Sequence, residues 1–284
     1  MTADVAVAVI HGIGSQANKW PEVSSERTFS ERLHKRLRRK LGRRRMERVA
    51  WREVFWADVL GPRQERYLDA IEPLTRLRRT RGFLVESIAD AAAFQRRQRT
   101  ATGEGDDQAY ALIQDRVRAT IADLNEDTSD DTPLVILAHS FGGYILSNYV
   151  WDMQQGALSP PTPFQRMETI SRFVTFGCNI PLFTFHRPPE DVQPIRFPGR
   201  ELPMHDRREP WWLNFYDRDD VLGYPLAPIG PRYQALADAG ELHDLAINAG
   251  GVLRSWNPLS HEAYWTDPSF VRPVARVLKG LLDD

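Results

Sequence analysis

Leu134-Val135-Ile136-Leu137-Ala138-His139-Ser140-Phe141-Gly142-Gly143 is the stretch whose reading decides the fold. Its first five residues are apolar without a break, a pattern that suits a strand at the centre of a parallel sheet, covered on both faces. The segment from Gly143 to Met153 then reads as helix, so Ser140 falls on a tight strand-to-helix turn. Such a turn projects one side chain clear of the backbone, and its strained geometry requires small residues two positions before and two after. Ala138 and Gly142 meet that requirement, with alanine where glycine is usual. Alone, a small-x-Ser-x-Gly pattern is weak and can mark a plain strand-loop-helix junction; the strand before it and the helix after it strengthen it.

Working outward, apolar runs bounded by turn residues recur with helical segments between them, which predicts an α/β fold with a mostly parallel central sheet and helices on both faces. Val5 to Ile10 is the first strand. Phe29 to Leu41 carries apolar residues at Phe29, Leu33, Leu37 and Leu41, the spacing of an amphipathic helix. Arg48 to Trp56 is β-rich, and Ala109 to Leu124 is a helix striped by Leu112, Ile113, Val117 and Ile121. Further strands are expected at Phe173 to Phe176, Trp211 to Tyr216 and His243 to Asn248, with a closing helix over Val271 to Leu282. Two segments break the alternation: Gly61 to Asp107, helical and Arg-rich, and Pro181 to Pro210, Pro-rich and almost structureless. Long irregular loops in a compact domain tend to be functional covers or disordered. The expected organisation is one domain over 1–284 with two excursions.

Composition sets the bounds. The 284 residues are 42% hydrophobic and 26% charged, enough for a sizeable core. A single cysteine, Cys178, excludes an internal disulfide framework and fits a reducing compartment. The apolar strand near the N-terminus has no basic flank or small-residue cleavage site before it, and no run reaches the roughly 18 apolar residues of a membrane span. A cytoplasmic location is the expectation. The net charge of −1 hides nine Lys or Arg residues between Lys35 and Arg48, against the single acid Glu47.

A serine hydroxyl becomes a useful nucleophile only when a base takes its proton. Acyl transfer also needs backbone N–H groups aimed at the developing oxyanion. His11-Gly12-Ile13-Gly14, at the end of the first strand, can supply them: its glycines let the loop approach Ser140. The expected oxyanion donors are the amides of Ile13 and Phe141. The same turn could instead cradle a phosphate, but it lacks both the G-x-G-x-x-G of dinucleotide sites and the G-K-[ST] of a P-loop.

Together these residues resemble the α/β-hydrolase superfamily, in its lipase and esterase-like branch. The resemblance runs from Val5 to about Leu282 and implies the chain order Ser, then Asp, then His. It implies an acid three residues beyond the residue ending the strand near Trp211 to Tyr216. Setting Asp217 at that end selects Asp220, with Asp219 as the alternative and a solvated acidic turn as the competing reading. It implies a histidine near the C-terminus, and His261 in Ser260-His261-Glu262-Ala263-Tyr264-Trp265 resembles the H-x-x-Y-W of many lipase-like enzymes. The expected triad is Ser140, Asp220 and His261. His139 reads as a neighbour imposed by the turn, and His11 as packing beneath the oxyanion loop. His34, His186, His205 and His243 read as surface or satisfied core residues, and Cys178 as packing in the site floor.

No metal motif is present, and no cofactor is expected. The expected partner is a small-molecule or lipid ester, cleaved by a serine hydrolase through an acyl-enzyme. An acyltransferase with the same triad, or a binding protein on a hydrolase scaffold, are the alternatives. Residues 61–107 lie where the family carries lid-like additions, and Phe183, Phe185, Ile195 and Phe197 of the Pro-rich loop could wall an acyl pocket. The basic run reads first as a solvated helix face. Its alternative is peripheral contact with an anionic surface through Arg43, Arg44 and Arg45. Net charge −1 and a pI near 6.7 count against nucleic acid.

Overall fold

The computed structural model describes residues 2–12, 26–59, 66, 69–70, 94, 108–249 and 261–283. Strands β1 (Val5–Ile10), β2 (Val49–Val54), β3 (Leu134–His139), β4 (Ile170–Phe176), β5 (Trp212–Asp217) and β6 (Leu242–Ile247) form one sheet. It is parallel throughout, in the order β2-β1-β3-β4-β5-β6. The helices are α1 (Glu31–Leu41), α2 (Arg43–Met46), α3 (Gln108–Glu126), α4 (Phe141–Gln154), α5 (Pro231–Asp238) and α6 (Pro268–Asp283). This is an α/β fold.

Strand alternation divides the core in two. Val5, Val7 and Val9 of β1, with Val135 and Leu137 of β3, pack on one face against Leu33, Leu37 and Leu41 of α1 and Phe270, Val274 and Leu278 of α6. Ala6, Ala8 and Ile10, with Leu134, Ile136 and Ala138, face the other way, against Ile113, Val117 and Ile121 of α3 and Ile145 and Tyr149 of α4. Both sides of β3 are therefore covered, which is why its sequence carries no polar alternation. Burying each such aliphatic side chain contributes about 1.5–3 kcal/mol, so an unbroken apolar run has no better place than the sheet centre.

Helix α1 begins on an unexpected device. Its N-cap Ser30 makes no side-chain cap; instead the buried Glu53 carboxylate of β2 accepts the N–H groups of Thr28 at 2.6 Å, Phe29 at 3.3 Å and Ser30 at 2.6 Å. A carboxylate at a helix N-terminus is also favoured by the helix dipole. The helix stops at Gly42, whose φ of 83° lets its N–H turn back to Arg38 O at 3.0 Å.

Most elements fall within a few residues of the sequence expectation. Helix α5 was not expected, and the Pro-rich stretch contains only two short 3₁₀ turns, Ile180–Phe183 and Pro189–Asp191. The chain leaves β1 for β2 on one side and returns past it to β3 on the other. The strand order reverses between β1 and β3, and in open α/β sheets ligand crevices form at the carboxyl ends beside such a reversal. Gly12 and Ser140 stand there.

Candidate active site

Ser140 joins β3 to α4 with φ 53° and ψ −126°. A non-glycine residue held there stores strain of order 1–3 kcal/mol. Two backbone bonds maintain it: Ser140 N–H donates to Phe176 O at 3.0 Å, and Gly143 N–H donates to Ser140 O at 3.1 Å. The small neighbour Gly142 answers to β1, because a methyl there would lie 2.8 Å from both His11 O and Ile10 Cγ2. A methyl on Gly12 would fall 2.4 Å from Ser140 Cβ, 2.7 Å from its Oγ and 3.2 Å from Phe141 N. The Gly12 α-carbon thus borders both the serine hydroxyl and the first amide of α4. Ile13, the other expected donor, lies outside the described residues.

His261 is buried, and its Nδ1 lies 2.8 Å from Asp220 Oδ2. Asp220 stands three residues beyond the end of β5. Its Oδ1 accepts the Leu222 N–H at 3.0 Å, and its Oδ2 also accepts the Tyr264 hydroxyl proton at 3.0 Å. Burial alone would raise the Asp220 pKa; the bonds from His261, Leu222 and Tyr264 outweigh it and hold the carboxyl below its ordinary value. Asp219 is exposed and donates its N–H to Asp217 Oδ1 at 2.9 Å, so it is Asp220 that meets the imidazole. Two glycines make room. A methyl on Gly177 would sit 3.0 Å from His261 Cε1, and one on Gly223 would sit 2.6 Å from Asp220 Oδ2.

No protein-family model matches this chain, and no curated protein matches it.

Ser140 and His261 converge on the end of β4: the serine N–H binds Phe176 O, and the imidazole lies against Gly177. Among the described residues no hydrogen bond yet joins Ser140 Oγ to His261. His139 links the two neighbourhoods. Its ring centroid is 4.6 Å from that of His261, and its Nε2 lies 2.9 Å from His261 O. Burial, reinforced by the neighbouring His261, pushes the His139 pKa well below its ordinary value. The ring is therefore neutral, and because a carbonyl only accepts, Nε2 carries the proton while Nδ1 remains buried without a partner. His139 is thus a strut for the His261 backbone, a role the sequence reading missed. Tyr264 was missed in the same way: its hydroxyl accepts the Asp217 N–H at 2.7 Å while donating to Asp220.

The wall beside Ser140 is aromatic. Phe141 packs on Trp56, Phe94, Tyr144 and Phe183, with ring centroids 5.1–5.9 Å away. Phe94 belongs to the 61–107 excursion and Phe183 to the Pro-rich loop, so both excursions reach the residue after Ser140. Apart from Arg66, Asp69, Ala70 and Phe94, the expected insertion lies outside the described residues. Ile195 is buried and Phe197 packs on Trp211, whereas Phe185 is 76% exposed and borders a separate surface cavity with Pro181, Val192 and Tyr224. His11 stacks on Trp56 and packs tilted against Phe29. Cys178 is buried, and burial pushes its thiol up to about 12, consistent with packing rather than nucleophilic use. His186, His205 and His243 are exposed.

Among the described residues no group of three or more His, Cys, Asp or Glu could hold a metal ion. Nor is any described helix long and apolar enough to cross a membrane. Within the basic triplet, Arg43 pairs with Glu47 at 2.6 Å and Arg45 with Asp283 at 2.7 Å, while Arg44 is exposed.

Proposed function

We propose that the protein is a serine hydrolase of α/β-hydrolase type that cleaves a carboxylic ester, of a lipid or another acyl compound, through an acyl-enzyme on Ser140. His261 Nε2 takes the Ser140 proton as Oγ attacks the ester carbonyl, and the Phe141 N–H, with that of Ile13, receives the oxyanion. The intermediate collapses as His261 returns the proton to the departing alcohol. Water then repeats the sequence and frees the acid. Asp220 keeps the imidazole in the tautomer with its proton on Nδ1 and stabilises the imidazolium. Each oxyanion donor of this kind is worth about 3–4 kcal/mol in the transition state.

The observation carrying this reading is the 2.8 Å contact of Asp220 Oδ2 with His261 Nδ1, beside a serine held at φ 53° on a strand-to-helix turn. The open step from Ser140 Oγ to the imidazole is compatible with it, since such bonds often tighten only when substrate binds. The aromatic wall at Phe141 supports an apolar acyl group over a charged one.

The test is labelling of the intact protein by a fluorophosphonate probe, followed by turnover of esters of graded acyl length. Labelling that Ser140→Ala abolishes without loss of the native circular dichroism is expected. Absence of labelling in folded wild-type protein would reject the hydrolase in favour of a binding role. Faster ester consumption when an alcohol or thiol is added, with the acyl group found on it, would redirect the proposal to an acyltransferase.

A further inference from the structure

A cavity of about 440 Å³ opens at the outer edge of the sheet beside β2, with no residue of the candidate active site in its lining. The first four residues of β2, Val49 to Arg52, border it. Arg52, the last of these, is level with Ala8 of β1, and Gly12 lies four residues farther along that chain, roughly 13 Å at strand rise. The cavity is therefore separate from the candidate active site, and its chemistry does not depend on what Ser140 does.

Its lining is strongly basic. Arg27, Arg38, Arg43 and Arg52 face it against only two acids, Glu47 and Asp127. Arg52 is paired with Asp127, Arg43 with Glu47 at 2.6 Å, and Arg27 with Glu31 at 2.8 Å. Glu31 is shared with Lys35 at 3.1 Å, which leaves the neighbourhood short of negative charge. Arg38 makes no ion pair among the described residues. The Arg43–Glu47 pair is exposed, and exposed pairs contribute about 0–1 kcal/mol, so a better acceptor can replace Glu47.

His34 occupies the wall between these arginines, edge-on to Trp51 with ring centroids 5.2 Å apart. Burial, together with the positive fields of Arg27 and Arg38, pushes its pKa down to about 4. The imidazole is neutral at physiological pH, chiefly because it is buried. It can donate one N–H without adding charge.

We propose that this cavity binds the phosphate group of a small phosphorylated molecule, with Arg38 and Arg43 as its main contacts and His34 as a neutral donor. Guanidinium forks match phosphate oxygens two at a time, and the volume lies in the range of small-molecule sites. A phosphomonoester lipid headgroup presents the same chemistry, so the experiment must separate the two sources.

Isothermal titration of the full chain with sodium pyrophosphate at low ionic strength gives the first arm, and flotation with phosphatidic acid or phosphatidylcholine vesicles the second. Saturable pyrophosphate binding is expected, weakened at least tenfold in the Arg38→Gln/Arg43→Gln double variant. It should change less than twofold in Arg36→Gln/Arg39→Gln, which removes equal charge from exposed positions outside the cavity. By NMR, pyrophosphate should raise the His34 titration midpoint in wild type. Binding to phosphatidic acid vesicles alone, lost in Arg38→Gln/Arg43→Gln, would assign the phosphate to a lipid. Equal weakening in both double variants, or no binding in either arm, overturns the proposal. All four substituted side chains are exposed, and matched melting temperatures exclude misfolding as the cause.

Discussion

Replacing Gly223 by alanine puts a methyl group where the structure has no room for one. Its Cβ would lie 2.6 Å from Asp220 Oδ2, 3.0 Å from Gly177 Cα and 3.0 Å from the Tyr264 hydroxyl. The Gly177 backbone cannot yield cheaply, so the carboxylate must retreat by about 0.8 Å to reach ordinary contact distance. Asp220 Oδ2 holds His261 Nδ1 at 2.8 Å, and a displacement of that size carries the pair towards the limit of hydrogen bonding. Misplacing a catalytic group by about 1 Å costs on the order of 100-fold in rate. A fall in kcat of about 30–100-fold is therefore expected, with KM little changed and fluorophosphonate labelling slowed in parallel. Overpacking should also cost about 1–3 kcal/mol of stability. Steady-state kinetics on the best ester, with a melting curve on the same preparation, measures both. Wild-type kcat in a stably folded Gly223→Ala protein would refute the reasoning, because either the carboxylate is not needed or it does not stand where it is described.

Other substitutions separate function from scaffold. Asp220→Asn should lower kcat by a factor on the order of 10⁴ by stabilising the wrong imidazole tautomer, whereas Asp219→Asn should stay within about twofold, both read by ester turnover. His34 has a folded pKa of about 4 against an ordinary 6.5, so the unfolded chain takes up its proton first as pH falls. Stability should decline from pH 6.5 towards 4 and level off below, and denaturant titrations of His34→Gln should show a shallower decline over that window. Gly280 lies within α6 with nothing within 4 Å of an added methyl, so Gly280→Ala should stabilise by about 0.5–1 kcal/mol and raise the melting temperature without altering turnover.

What could be read in advance was whatever is local. The unbroken apolar run of β3 and the small residues around Ser140 are short-range patterns, and both appear where the sequence puts them. Asp220 was selected over Asp219 by the offset that the resemblance to related hydrolases implies, counted from Asp217, where β5 does end. What escaped notice depends on partners far apart in the chain. His139 and the carbonyl of His261 are separated by 122 positions, and nothing near His139 announces that its ring will donate there. Glu53 looks like an ordinary strand residue until the chain brings Thr28, Phe29 and Ser30 onto its carboxylate. Helix α5 offered only a Gly230-Pro231 start, a signal the reading passed over, and a single buried side chain, Tyr233, too little for periodicity to register. The basic cavity beside β2 is legible only in part: the basic run was visible, but not that Arg27 and Arg52, from outside it, share one hollow with Arg38 and Arg43.

The order in which the chain supplies the clasp of Asp220, His139 and His261 has a consequence for its folding. All six described strands precede residue 248, yet the imidazole arrives only after them. On the proposed reading, a chain folded only as far as its sheet can strain its serine while lacking any group to take the proton. Turnover would then begin only once residue 261 has docked, which spares surrounding esters from a half-folded enzyme.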